Sequence, residues 1–167
     1  MYEPATPSDS RPDTEAHIAR VRSLLEDAAS NLTYRGSIHD ASKLLEPEKS
    51  AFDRLKALSL SGMAYGSEEY RSCLRAEKPA IAHHYAHNSH HPEYHARGIE
   101  GMSLFDVMEM LLDWKAATER MKDGGDIVKS LYMNRGRFNL SPQLVAILEN
   151  TIRELRWEAP TAIGSVE

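Results

Sequence analysis

Ser103-Leu104-Phe105-Asp106-Val107-Met108-Glu109-Met110-Leu111-Leu112-Asp113-Trp114-Lys115-Ala116-Ala117 is the most apolar stretch of the chain. Ser103 and Asp106 form a Ser-x-x-Asp variant of the capping box, in which each side chain satisfies a backbone N–H left free at a helix start. Leu104, Val107, Met108, Leu111, Leu112, Trp114 and Ala117 then recur with a helical period. The stretch predicts a central helix from about Leu104 to Met121, ended by Gly124 and Gly125. Asp113 falls in the middle of it. A buried carboxylate is costly unless it is paired or binds a metal. Facing inward, Asp113 is a ligand candidate; facing out beside Lys115, it is an ordinary solvated residue. Glu109 stands one turn earlier on the same side.

Downstream, a short helix over about Asp126–Asn134 leads into Asn134-Arg135-Gly136-Arg137-Phe138. Arg135 and Arg137 around a glycine suit a bidentate grip on phosphate, and equally a solvated turn. Ser141 caps and Pro142 opens a last helix to about Trp157, with Leu144, Ile147, Leu148, Ile152 and Leu155 inward.

Upstream lies His83-His84-Tyr85-Ala86-His87-Asn88-Ser89-His90-His91-Pro92-Glu93-Tyr94-His95, which holds six of the eight histidines. Neutral imidazole is the commonest protein metal ligand. On a helix His84, His87 and His91 share one face, and His83, His87 and His90 a neighbouring one. His90 and His91 are roughly 100° apart on a helix. They meet in one cluster only if the helix ends there, and Pro92 disfavours the helical conformation at His91. The alternatives are a solvated polar helix end or a tag, and a tag would be terminal and uniform. Pro79 opens this helix, and Gly98 and Gly101 close the loop after it.

Before it, residues 1–12 carry Pro4, Pro7 and Pro12 and predict a loose arm. A helix from Asp13 or Thr14 follows, with His17, Val21, Leu24, Leu25, Ala28 and Leu32 on its inward face. Taken alone, His17 reads as a core histidine. Gly36 breaks that pattern. In Ser37-Ile38-His39-Asp40-Ala41-Ser42-Lys43-Leu44, the His-Asp pair offers a nitrogen and an oxygen ligand. Asp40 and Lys43 also have the spacing of a helix ion pair. Pro47 begins a helix with Phe52, Leu55 and Leu58 inward. Residues 61–67 form a glycine-bearing loop, and a further helix covers about Glu68 to Glu77.

No alternating strand-like run and no internal repeat occurs. The expected fold is all-α: one domain over 13–157, with a frayed tail over 158–167. The 167 residues are 41% apolar, enough for a core. A net charge of −5 argues against a general nucleic-acid or acidic-membrane binder. The single cysteine, Cys73, excludes a disulfide framework and leaves no thiolate pair for zinc. A reducing cytoplasm fits, with no span of ~20 apolar residues and no signal-peptide core.

The order His17, His39-Asp40, histidine cluster, Asp113 resembles the HD-domain superfamily of metal-dependent phosphohydrolases. His39-Asp40-Ala41-Ser42-Lys43 is similar to that family's His-Asp-x-x-Lys doublet. His90-His91-Pro92-Glu93 resembles the His-His pair of members with two or three metals. More closely, the chain resembles a small bacterial and phage family of unknown function. There the shared segments correspond to His39-Asp40-x-Ser42-Lys43, His84, Asn88-x-His90-His91-Pro92-Glu93 and Asp113-Trp114-Lys115. The resemblance covers about residues 14–155 and implies a bundle of five to seven helices with the site at its centre. It implies His17, His39, Asp40 and Asp113 as the core metal set, Asp40 bridging if two metals bind. His84 with His90, His91 or both would hold a second metal.

With nitrogen and oxygen ligands, one or two divalent ions of Mn, Fe, Co, Ni or Zn all fit. The chemistry implied is attack of a metal-activated water on a nucleotide or other small phosphoester. Lys43 would stabilise developing charge, and Glu93 would orient a ligand histidine or shuttle a proton. Lys115, Arg135 and Arg137 are the candidates for holding phosphate. Two alternatives belong to other classes: an HD-fold di-iron oxygenase, and a non-catalytic metal-binding protein. Neither a membrane nor a nucleic acid is expected as a partner, while exposed apolar helix faces suit a homo-oligomer.

Overall fold

The computed structural model describes residues 9–60, 67–120 and 125–158. Among these the chain is all-α, with no strand. The α-helices are α1 (Arg11–Ile38), α2 (Glu48–Leu60), α3 (Glu68–Ala76), α4 (Lys78–His87), α5 (Leu104–Glu119), α6 (Ile127–Phe138) and α7 (Pro142–Glu154). Short 3-10 turns cover Ala41–Leu44, Pro92–Tyr94 and Gly98–Gly101. Residues 61–66 of the expected 61–67 loop, Met121 and Gly124 at the expected end of the central helix, residues 159–167 of the expected tail and residues 1–8 of the expected arm lie outside the described residues.

The chain divides into two units, Met1–His39 and Asp40–Glu167. Within the first, α1 is a single helix of 28 residues and buries none of them. This departs from the expected inward face of His17, Val21 and Leu32: a lone helix has nothing in its own unit to pack against. It also runs through Gly36 instead of breaking there. One glycine costs a helix about 1 kcal/mol, too little to end one that continues on both sides.

The second unit has an apolar half and a polar half. In the apolar half α5 packs on α6 and α6 on α7. Leu111, Ile127, Leu131, Leu140, Val145, Leu148 and Ile152 form the core there. Ser103 makes the expected capping box with Asp106. Leu104 was expected inward, but it precedes the packed turns and is 85% exposed, whereas Leu111 is 0% exposed. Similarly, Ile147 and Leu155 point outward while Val145 is buried.

α6 continues past Asn134 to Phe138, so Arg135 and Arg137 sit on its last turns and not in a loop. Its end is set by Asn139, which adopts left-handed φ 50, with the Leu140 N–H returning to the Arg135 carbonyl. α7 stops in the same way, earlier than Trp157. Arg156 takes φ 56, and the Trp157 and Arg156 N–H groups bond back to Ile152 and Arg153.

In the polar half, α2 packs on α4, and the turn Ala41–Leu44 packs on both. Ala51 and Ala80 are the small buried residues there, and the other large buried groups are polar: Glu48, His84 and His90.

Candidate metal centre

Three local features bring the histidines together. α4 ends at His87 because Asn88 turns extended, φ −124 and ψ 105, and its side-chain amide caps the His84 carbonyl at 2.8 Å. A tight turn follows, with the His91 N–H donating to the Asn88 carbonyl. Pro92 then starts a 3-10 turn, so His90 and His91 leave the helical path and fold back beside His84. The turn is tied to α5 by Ser89, whose hydroxyl donates to Asp106 Oδ1 at 2.7 Å, and its Ser89 carbonyl lies 2.8 Å from His95 Nε2 in the segment that follows.

Asp40 approaches from the other side. It does not lie on a helix as expected; it occupies the turn before Ala41 with φ 55 and ψ 14. Non-glycine residues avoid this left-handed region, although aspartate tolerates it better than most. One oxygen, Oδ2, accepts from Lys43 Nζ at 2.6 Å. The other, Oδ1, stands 3.3 Å from His84 Nε2 and 3.6 Å from His90 Nε2. His91 Nε2 lies 2.9 Å from His84 Nε2. Ligand atoms of Asp40, His84, His90 and His91 therefore all fall within 4.8 Å of one another. His90 and Asp113 on α5 share a second such group.

Carboxylates behind the rings fix which nitrogen faces the centre. His84 Nδ1 is 2.9 Å from Glu48 Oε2, and His90 Nδ1 is 3.2 Å from Glu109 Oε1. An ionised carboxylate only accepts, so each Nδ1 carries the proton and each Nε2 turns its lone pair inward. A carboxylate behind a ligand histidine is the usual way that metal sites set ring orientation. Glu48 is fully buried and also accepts from Ser42 Oγ at 2.9 Å and meets His83 Nδ1 at 2.7 Å. Its position in the first turn of α2 favours negative charge.

Burial lowers the pKa of His84, and the positive charge of Lys43 adds to that effect. Burial and the neighbouring His84 push His91 down to about 4. Burial opposes ionisation of Glu48, but hydrogen bonds from His83, Ser42 and His84 outweigh it and hold the carboxyl below its ordinary range. At neutral pH His84 and His91 are thus uncharged and Glu48 is ionised, the protonation states that suit a divalent cation. His84 and His91 meet Nε2 to Nε2; one proton can sit between them, or a cation can take both lone pairs. Nitrogen and oxygen donors without sulfur suit a first-row transition ion.

Residues 6–154 match the sequence profile of a family of unknown function, DUF5662. The chain belongs to that family. No curated protein and no solved structure matches it.

In this DUF5662 chain the residues singled out from sequence fall into three groups. Asp40, His84, His90, His91 and Asp113 come together as described. His17 and His39 belong to the first unit: His17 lies within α1 and His39 is its C-cap residue. The remaining polar candidates have other partners. Glu93 is exposed and pairs with Arg137 at 2.8 Å; the carboxylates behind the histidines are Glu48 and Glu109. Lys115 pairs with Glu119 at 2.8 Å and lies over the Trp157 ring. Arg135 is exposed on α6. His87 is exposed and stacks on His83 with ring centroids 3.9 Å apart.

Glu48 carried no signal in the sequence. It lies 36 positions from His84, and only the packing of α2 on α4 joins them. No helix among the described residues is long and apolar enough to cross a membrane.

Proposed function

We propose that this chain is a metal-dependent hydrolase of small phosphoesters, with a divalent transition ion held by Asp40, His84, His90 and His91 and a second position at His90 and Asp113. One observation carries the reading: four ligand atoms of the right chemistry converge within 4.8 Å, two of them on histidines backed by buried or half-buried carboxylates. The resemblance to HD-type hydrolases adds His17 and His39 to the ligand set and supplies the reaction class.

Each residue then has a role. Glu48 and Glu109 hold the Nδ1 protons of His84 and His90, so that Nε2 is the donor atom. Lys43 holds Asp40 in place through its 2.6 Å bond, and its ammonium supplies positive charge beside a phosphoryl oxygen. A divalent ion, when bound, supplies Lewis acidity toward the phosphoryl group and toward a water nucleophile.

The test is hydrolysis. Protein reconstituted in turn with Mn, Fe, Co, Ni and Zn is screened against nucleotides and simple phosphomonoesters and diesters. The reading predicts turnover with at least one ion, lost in Asp40→Asn and slowed in Lys43→Ala with metal retained. Metal-loaded protein that hydrolyses none of these contradicts it. Bound iron that consumes oxygen instead would favour the oxygenase alternative.

A further inference from the structure

Arg137 is held by one carboxylate and two aromatic side chains. Its Nη2 donates to Glu93 Oε1 at 2.8 Å and to the Tyr85 hydroxyl at 3.2 Å. Its guanidinium carbon lies 4.6 Å from the centroid of the Phe138 ring. Both aromatic supports lead back to the histidine centre. The Tyr85 ring is 4.8 Å from the ring of His91. Phe138 stacks parallel to Trp114, the residue after Asp113, with centroids 6.2 Å apart. A guanidinium held by the Tyr85 hydroxyl and the Phe138 ring, the first on a side chain beside a candidate ligand and the second leading to the neighbour of another, is partly oriented before any ligand arrives.

We infer that Arg137 is the anion-binding group of this site, gripping a non-bridging phosphate oxygen of the substrate, with Glu93 as the resident carboxylate that the phosphate displaces. The inference rests on the hydrolase reading and narrows its substrate to phosphoesters presenting a free dianionic or monoanionic phosphoryl group at the rim. Both hydrogen bonds of Arg137 use Nη2, and Nε and Nη1 make none among the described residues. A guanidinium offers five donors in a planar fork, and phosphate is among the ions that match it in two-point contact. Glu93 is exposed and its ion pair with Arg137 is solvated, so exchange of carboxylate for phosphate trades one surface ion pair for a stronger charge-assisted pair. Lys115 is engaged by Glu119 and lies over the Trp157 ring, with no ring contact to a candidate ligand among the described residues, and Arg135 is exposed on α6.

The experiment is calorimetric titration of inorganic phosphate into the full chain and into Arg137→Gln, Arg137→Lys and Glu93→Gln, with metal content and far-ultraviolet circular dichroism read on the same samples. Arg137→Gln is expected to weaken phosphate binding about tenfold or more, the loss of a charged hydrogen-bond pair. Arg137→Lys, which keeps the charge and loses the fork, should fall between. Glu93→Gln should tighten binding, because the competing carboxylate is gone. Wild-type protein that binds no phosphate at millimolar concentration overturns the inference. So does an Arg137→Gln protein that is folded and binds phosphate as the wild type does. Metal lost together with phosphate affinity in Arg137→Gln also counts against it, since an anion grip leaves the ligand set intact. A wild type that takes up no transition metal even after reconstitution, yet binds phosphate through Arg137, would contradict the hydrolase reading and leave the anion site standing.

Discussion

Glu48 Oε2 lies 2.9 Å from His84 Nδ1, and both side chains are buried. This pair fixes the face that His84 turns to the centre. Removing the carboxylate leaves a buried imidazole with no fixed tautomer. Glu48→Gln keeps the shape and loses the charge. Metal affinity should fall by about ten- to a hundredfold in this variant, the usual effect of losing such a partner. A chelator competition titration reads it. Unchanged affinity would mean that Glu48 serves packing alone.

Asp40 combines a place in the candidate centre with an unfavourable backbone. Its φ of 55 penalises a side chain with Cβ, and glycine carries no such penalty. Asp40→Gly and Asp40→Ala both lose the carboxylate and the Lys43 bond, so they differ only in the backbone term. The glycine variant should be more stable than the alanine one by about 1 kcal/mol. Urea denaturation of the metal-free proteins measures the difference. Equal stabilities would show that the turn relaxes at no cost.

The depressed histidines set a pH dependence. His91 is pushed down to about 4 from an ordinary 6.5, and His84 is lowered too. Between these values the unfolded chain binds more protons than the folded one, so stability rises with pH across that window. Stability is full above about 6.5 and falls as the pH drops toward 4, by something on the order of 2 kcal/mol from His91. Glu48 adds a loss at lower pH, where its carboxyl protonates. Denaturant midpoints of metal-free protein at pH 7, 5.5 and 4.5 test this. A flat profile would remove the histidines from the buried centre.

Leu104 and Leu111 stood together on the expected inward face of α5, but only Leu111 is enclosed. Leu111→Ala should destabilise the fold by about 2–5 kcal/mol, through lost burial and a cavity. Leu104→Ala should stay within about 0.5 kcal/mol. Thermal melts of the two variants separate them. A large effect at Leu104 would mean that this position is covered in solution.

Much of the architecture was legible because its signals are local. The Ser103 and Ser141 caps, Pro79 and Pro142 in first turns, and the period of α5 and α7 each act within a few residues. Gly36 and Gly136 misled for the same reason, since a single glycine weighs little against the turns on either side. The centre was legible in composition: six histidines gathered before a proline, an isolated His-Asp pair and a carboxylate in an apolar helix. Its supports were not. Glu48 and Glu109 reach His84 and His90 across helix packing, which has no sequence period. Glu93, close in sequence to the histidines, pairs with Arg137, while Glu48 and Glu109 stand behind His84 and His90, because nearness along the chain is a poor guide once a helix has ended at His87.

Every role proposed in hydrolysis depends on a transition ion at the Asp40–His84–His90–His91 centre. Metal content by plasma mass spectrometry on untagged protein, beside Asp40→Asn, tests for that ion most directly. Asparagine tolerates the left-handed turn, so the variant should stay folded. Near-stoichiometric Mn, Fe, Co, Ni or Zn is expected in the wild type, strongly reduced in the variant. Wild-type protein that takes up none of these ions, even after reconstitution at neutral pH, would contradict it.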